Sequence, residues 1–232
     1  MKLGAMKPFK EVKQKILEIT TGGNGYYIQM KLLVYPVSIR VVYLASKYGI
    51  HPNVLTGFSG LFSVICLILF WNEMFALSLV SFWIRTVFDY SDGATARFTN
   101  RESKIGGILD GTIDKIFYVS LWMLISLTTS SEILRYYYWI SYILYFVVVQ
   151  YFILPRLGFL KNRAPLKQYF LDRGVLIGIG IATELEFWSL VMFAFGVGSE
   201  FIVVLVALNN IDLIYRVYEI LRYQNVSLMK KM

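Results

Sequence analysis

Asp89-Tyr90-Ser91-Asp92-Gly93-Ala94-Thr95-Ala96-Arg97, followed after eight residues by Gly106-Gly107-Ile108-Leu109-Asp110-Gly111-Thr112-Ile113-Asp114, is the stretch that decides the fold. Four carboxylates, Asp89, Asp92, Asp110 and Asp114, sit here inside hydrophobic sequence. An acid at lipid depth is costly and persists only where it faces a protein interior, a counter-charge or a metal. Asp89 and Asp92 are three residues apart and Asp110 and Asp114 four apart, so each pair shares one face of a helix. An antiparallel hairpin turning near Arg101 and Glu102 sets Asp89 level with Asp114, Asp92 with Asp110, and Arg97 with Gly106. Carboxylates converging in a low-dielectric bundle repel one another unless divalent cations neutralise them, and hard oxygen ligands favour Mg²⁺ or Mn²⁺. The spacing therefore predicts a metal centre, most economically of two ions, with Asp89, Asp92, Asp110 and Asp114 as its ligands.

Composition places this centre in a membrane. Of the 232 residues 57% are hydrophobic and 17% aromatic, and the mean hydropathy of +0.58 excludes a soluble globule. Against the ~20 residues that span a bilayer, the apolar stretches fall near 54–71, 74–97, 105–128, 133–155, 172–195 and 200–220. The expected fold is an all-α integral membrane protein: six transmembrane helices preceded by an N-terminal juxtamembrane amphipathic helix. Residues 1–50 form the cytoplasmic N-terminal segment with its interfacial helix, and residues 51–232 the transmembrane domain.

Lysines and arginines accumulate in cytoplasmic loops. Here they crowd the N-terminal region, the connection holding Arg97, Arg101 and Lys104, the connection holding Arg156, Lys161, Arg163, Lys167 and Arg173, and the C-terminal end. The connections at Trp71–Glu73 and Gly196–Glu200 carry none. The expectation is a multi-pass protein of the cell membrane with both termini and the acidic centre cytoplasmic. The formal net charge of +8 then meets anionic lipids and anionic substrates. No nucleic-acid partner is expected, because the charges flank membrane spans and do not stripe a soluble surface.

Phe9, Val12, Ile16 and Ile19 recur at helical spacing among lysines, predicting a helix over 8–20 that is either laid on the membrane surface or solvated. Gly22-Gly23-Asn24-Gly25 reads as a loop. Tyr26 to Tyr48, interrupted by Pro36, reads as the juxtamembrane helix. The lysines near the start precede no apolar run, so no signal peptide is expected. Asn53, in Pro52-Asn53-Val54-Leu55-Thr56, is the expected cap of the first span, with His51 as interfacial filler. The lone Cys66 is read as packed or lipid-facing. Glu184 and Glu186 fall inside the fifth span without an account, and Asp212 and Arg216 make a spacing-of-four pair in the last.

Arg85, Asp89, Asp92 and Ala96 follow one another at intervals of four, three and four, which puts Arg85 on the acidic stripe one turn deeper. Two readings of it stand: a salt bridge to Asp89, or a contact to an acceptor or phosphate. On the next helix Gly106, Asp110 and Asp114 make a stripe beside Gly107 and Gly111, and small residues there admit a close approach.

The pattern D-x2-D-G-x2-A-R-x8-G-x3-D-x3-D resembles the signature of the CDP-alcohol phosphotransferases, membrane enzymes of phospholipid synthesis, with each of eight signature positions filled. The resemblance implies a commonly homodimeric six-helix fold and a reaction that moves a phosphoryl-linked alcohol from CDP to an acceptor hydroxyl, releasing CMP. It further implies that Gly93, Ala96, Arg97 and Gly106 border the CDP moiety of the donor. Asp114, deepest on its helix, is the candidate general base toward the acceptor. A CDP-diacylglycerol-like lipid donor with a small polar alcohol or polyol phosphate as acceptor is the first reading. A soluble CDP-polyol, CDP-choline or CDP-ethanolamine donor with a lipid acceptor is the second. Leu171-Asp172-Arg173-Gly174 resembles a segment of members that handle polyol phosphates. A cation-coupled transporter and a non-catalytic assembly partner are the readings outside this class.

Overall fold

The computed structural model describes residues 7–21, 30–153, 169, 172 and 182–223, and no strand occurs among them. The described helices are α1 (Phe9–Thr21), α2 (Tyr35–Tyr48, entered through a π-helical turn at Met30–Val34), α3 (Pro52–Trp71), α4 (Phe75–Thr99), α5 (Lys104–Leu127), α6 (Glu132–Val147, continued by a π-helical turn at Val148–Ile153), α7 (Ala182–Ala194) and α8 (Gly198–Tyr223). The Gly22–Gly25 loop, the basic connection with Arg156, Lys161, Arg163, Lys167 and Arg173, and the Glu184 side chain lie outside the described residues.

Among the described residues two helices, α3 and α8, are long and apolar enough to cross a bilayer, with mean hydropathies of 2.2 and 1.6. The charges of the acidic hairpin lower the apolarity of α4 and α5. α3 shows how the sequence meets lipid: Val54, Phe58, Leu61, Val64 and Ile68 are exposed, whereas Thr56, Ser59, Ser63 and Cys66 are buried. Polar groups turn inward because hydrocarbon offers them no partners, and small hydroxyl residues let helix backbones approach.

The chain divides into two compact units, Met1–Ser120 and Leu121–Met232. In the first, Ile16 of α1 joins Met30, Val34, Tyr35, Ile39 and Val42 on and just before α2 and Val87 and Ala94 of α4 in one buried cluster. The apolar stripe of α1 is therefore spent on protein packing. Trp83 Nε1 donates to the Leu33 carbonyl at 3.0 Å, and Ser38 Oγ to the Val87 carbonyl at 3.1 Å, tying α2 to α4. Cys66 is buried against Ser78, whose hydroxyl donates to the Cys66 carbonyl at 3.0 Å.

Two local expectations are corrected. The cap of α3 is His51, not Asn53: the His51 ring accepts from the Asn53 amide at 3.3 Å with Pro52 in the first turn. Proline lacks the N–H that a first-turn residue leaves unpaired anyway, so the residue before it takes the capping position. Pro36 likewise lies in the first turn of α2 rather than breaking a helix in its middle.

In the second unit, Glu186 is fully buried and accepts from Trp122 Nε1. Trp122 stacks on Tyr138 and Tyr142 with ring centroids 5.0 and 4.6 Å away. Asp212 pairs with Arg216 as their spacing predicts, and Tyr145 adds a hydroxyl donated to Asp212 at 2.9 Å.

Candidate active site

α4 ends where Asn100 adopts a left-handed conformation, φ 53°, and the Arg101 amide closes the helix on the Ala96 carbonyl at 2.8 Å. Asparagine tolerates this conformation better than most residues. α5 begins at Lys104, with four residues between it and Thr99 at the end of α4. The turn falls at the predicted Arg101–Glu102, and with it the acids of α4 come to face those of α5.

Carboxylate oxygens of Asp89, Asp110 and Asp114 lie within 4.8 Å of one another. Asp92 is buried and accepts from Thr56 Oγ1 on α3 at 2.6 Å through its Oδ2. Asp92 and Asp110 both line a cleft of about 190 Å³, whose other walls include Thr56, Gly93, Ala96, Arg97, Gly106 and Gly107. All four residues that the resemblance assigns to the CDP moiety are thus lining residues. Pro52, Asn53, Arg101, Glu102 and Ser103 also line the cleft. Small residues build its walls where a larger side chain has no room: a Cβ on Gly106 would stand 2.8 Å from Ser103 Oγ and 3.1 Å from Asn53 Oδ1.

Arg85 is fully buried below this cluster. Its guanidinium pairs with Asp114 and approaches Asp89 Oδ1 at 3.4 Å. It also donates to Tyr118 Oη at 3.0 Å and, through Nε, to Ser63 Oγ at 3.4 Å. The rings of Phe117 and Tyr118 flank it, 4.8 and 5.0 Å from centroid to guanidinium carbon. One guanidinium against four carboxylates leaves a negative excess in a low-dielectric site, which a divalent cation would offset. Asp89 Oδ1, ion-paired with Arg85, is buried and accepts no hydrogen bond. Hard oxygens this close fit a Mg²⁺ or Mn²⁺ ion.

A family profile for CDP-alcohol phosphatidyltransferases matches residues 49–208, from just before α3 into α8. The chain belongs to the CDP-alcohol phosphatidyltransferase family. Membership carries a membrane-embedded transferase, phosphotransfer from a CDP-linked alcohol to an alcohol, and typical dependence on a divalent metal. No curated protein matches the sequence.

Thr56, Ser63 and Tyr118 join the site beyond the residues that the motif marks. Tyr118 continues the stripe of Gly106, Asp110 and Asp114 at the same spacing of four, so its place beside Arg85 was open to reading. Thr56 and Ser63 carry no such mark, because their partners lie on another helix. Arg97 lines the cleft and also donates to the Ile19 carbonyl of α1 at 3.2 Å.

Proposed function

We propose that this protein transfers a phosphatidyl-type group from a CDP-diacylglycerol-like lipid to the hydroxyl of a small polar alcohol or polyol phosphate, releasing CMP. The observation that carries this reading is the convergence of Asp89, Asp110 and Asp114 beside a cleft lined by Asp92, Gly93, Ala96, Arg97 and Gly106. The cleft takes the CDP moiety, with Gly93, Ala96 and Gly106 allowing the close approach and Arg97 offsetting phosphate charge. The four aspartates would hold one or two Mg²⁺ or Mn²⁺ ions, which when bound neutralise charge on the pyrophosphate and the leaving CMP. Thr56 fixes the rotamer of Asp92, and Arg85 with Tyr118 fixes that of Asp114.

Asp114 accepts the proton of the acceptor hydroxyl as its oxygen attacks the donor phosphorus. The bond from that phosphorus to the CMP oxygen breaks, and CMP leaves through the cleft mouth. A positioned base is needed because an alcohol is a poor nucleophile at neutral pH. Arg85 is fully engaged by Asp114, Asp89, Tyr118 and Ser63, so we assign it to positioning the acids in preference to binding the acceptor.

We infer further that residues 51–232 form a six-helix transmembrane domain and that residues 1–50 lie on its cytoplasmic side. α4 at 25 residues and α5 at 24 are long enough to span, and the lysine and arginine asymmetry supports a cytoplasmic cleft. The family resemblance supports a homodimer. The test is to incubate purified protein with Mg²⁺ and a panel of CDP-linked donors and acceptors and to follow CMP. CMP release with a lipid donor and a polyol-type acceptor supports the reading; release only with a soluble CDP-alcohol and a lipid acceptor reverses the assignment of donor and acceptor.

A further inference from the structure

A second cavity, of about 250 Å³, opens between α1 and α2, apart from the catalytic cleft. Phe9, Lys13 and Leu17 line it from α1, at successive intervals of four. Lys31, Tyr35 and Ile39 line it from the other side at the same interval, and Pro36 and Arg40 from the adjacent stripe. Each wall thus sets a cation between or beside apolar side chains. Lys13, Lys31 and Arg40 are exposed, and Tyr35 and Ile39 are buried beneath them. Among the described residues, no carboxylate lines it. Burial pushes the Tyr35 phenol up to about 12, so this wall adds no negative charge at neutral pH.

The walls are fixed. Tyr35 meets Tyr90 of α4 edge to face at 5.4 Å, and Phe9 meets Tyr43 of α2 at 5.2 Å. Arg40 spends one donor on the Pro36 carbonyl at 3.3 Å, and a guanidinium has five. Outside the groove, α2 and the turn before it expose Leu32, Leu33, Leu44 and Tyr48, the apolar side chains of a segment that lies in a membrane interface.

We propose that the groove between α1 and α2 binds the phosphate headgroup of an anionic phospholipid of the surrounding leaflet, with Lys13, Lys31 and Arg40 on the phosphate and Phe9, Leu17 and Ile39 against the start of the chains. Charge complementarity selects this occupant, since three cations from two walls around an apolar floor match an anionic amphiphile. The inference rests on the chain lying at a membrane and not on the reaction. It ties membrane charge to the catalytic cleft, because α1 carries Lys13 and Leu17 and also the Ile19 carbonyl that accepts from Arg97.

The test is native mass spectrometry of the full chain titrated in neutral detergent with phosphatidylglycerol, phosphatidylcholine or inorganic phosphate. Wild-type protein should retain phosphatidylglycerol in preference to phosphatidylcholine. Lys13→Gln with Arg40→Gln should weaken that retention about thirtyfold, at roughly one kcal/mol per charge. Lys10→Gln with Lys47→Gln, which removes the same charge outside the groove, should leave it within a few-fold. Lys13→Arg with Arg40→Lys should retain binding, which separates lost charge from lost folding. Equal loss in both glutamine pairs would reduce the effect to diffuse surface charge and overturn the proposal. So would equal retention of phosphatidylcholine, or displacement of the lipid by inorganic phosphate alone.

Discussion

Thr56 on α3 donates its hydroxyl to Asp92 Oδ2 on α4 at 2.6 Å, both residues buried. The contact joins a helix that carries no acid to the one that carries two, and the other oxygen of Asp92 accepts from the Gly93 amide. Thr56→Val keeps the shape and removes the donor. A hydrogen bond to a charged group contributes about 1.5–3 kcal/mol, so kcat/KM for CMP release should fall roughly tenfold to a hundredfold. Thr56→Ser should restore most of it. Equal kinetics in the valine variant would remove Thr56 from the site.

Asp114 lies farthest from the α4–α5 turn among the acids of its helix. Asp114→Asn should lower turnover by about 10²- to 10⁴-fold, the usual contribution of positioned proton transfer, with the KM for the CDP donor nearly unchanged. Asp92→Asn should impair both, since Asp92 lines the cleft. Calorimetric Mn²⁺ titration of each variant separates the roles. Complete loss of metal binding in Asp114→Asn would make it a ligand first and a base second.

Arg85→Ala should destabilise the protein before any substrate is added. It leaves Asp114 and Asp89 facing each other without their shared cation, and breaking a buried pair in this way costs about 3–5 kcal/mol. Arg85→Lys should rescue little, because one ammonium cannot hold the two acids, Tyr118 and Ser63 together. Thermal unfolding in detergent without substrate reads this out. Unchanged stability with a raised acceptor KM alone would return Arg85 to acceptor binding.

Gly106→Ala and Gly107→Ala differ by one position and should differ in effect. At Gly106 the new methyl meets Ser103 Oγ and Asn53 Oδ1, whereas at Gly107 nothing lies within 4 Å. The first also displaces the Ser103 hydroxyl that accepts from the Gly106 amide at 3.0 Å. Gly106→Ala should raise the KM for the CDP donor, and Gly107→Ala should change it much less. Steady-state kinetics with varied donor decides between them.

The acidic stripes were legible because helical periodicity alone aligns Asp89 with Asp92 and Asp110 with Asp114. The turn at Arg101 was legible because charge interrupts apolar sequence there. The register of α3 against α4 was not, since it depends on packing between helices, and so Thr56 and Ser63 went unassigned. For Arg85 the spacing offered only Asp89; Asp114 and Tyr118 reach it from α5. Amphipathicity in α1 told that one face is apolar, but not that Ile16 would meet Val42 and Ala94 where a membrane surface was one expectation. Glu186 had no account in sequence because its partner, Trp122, lies 64 residues away.

CMP release from a CDP-linked lipid by the purified protein, followed before and after chelation, tests whether transfer depends on metal at the aspartate cluster. Release should require donor and acceptor together, should stop when a chelator strips divalent metal, and should return with Mg²⁺ or Mn²⁺ in the wild type but not in Asp110→Asn. Undiminished release in the chelator, or full activity in Asp110→Asn, would contradict a metal-dependent transfer at the aspartate cluster.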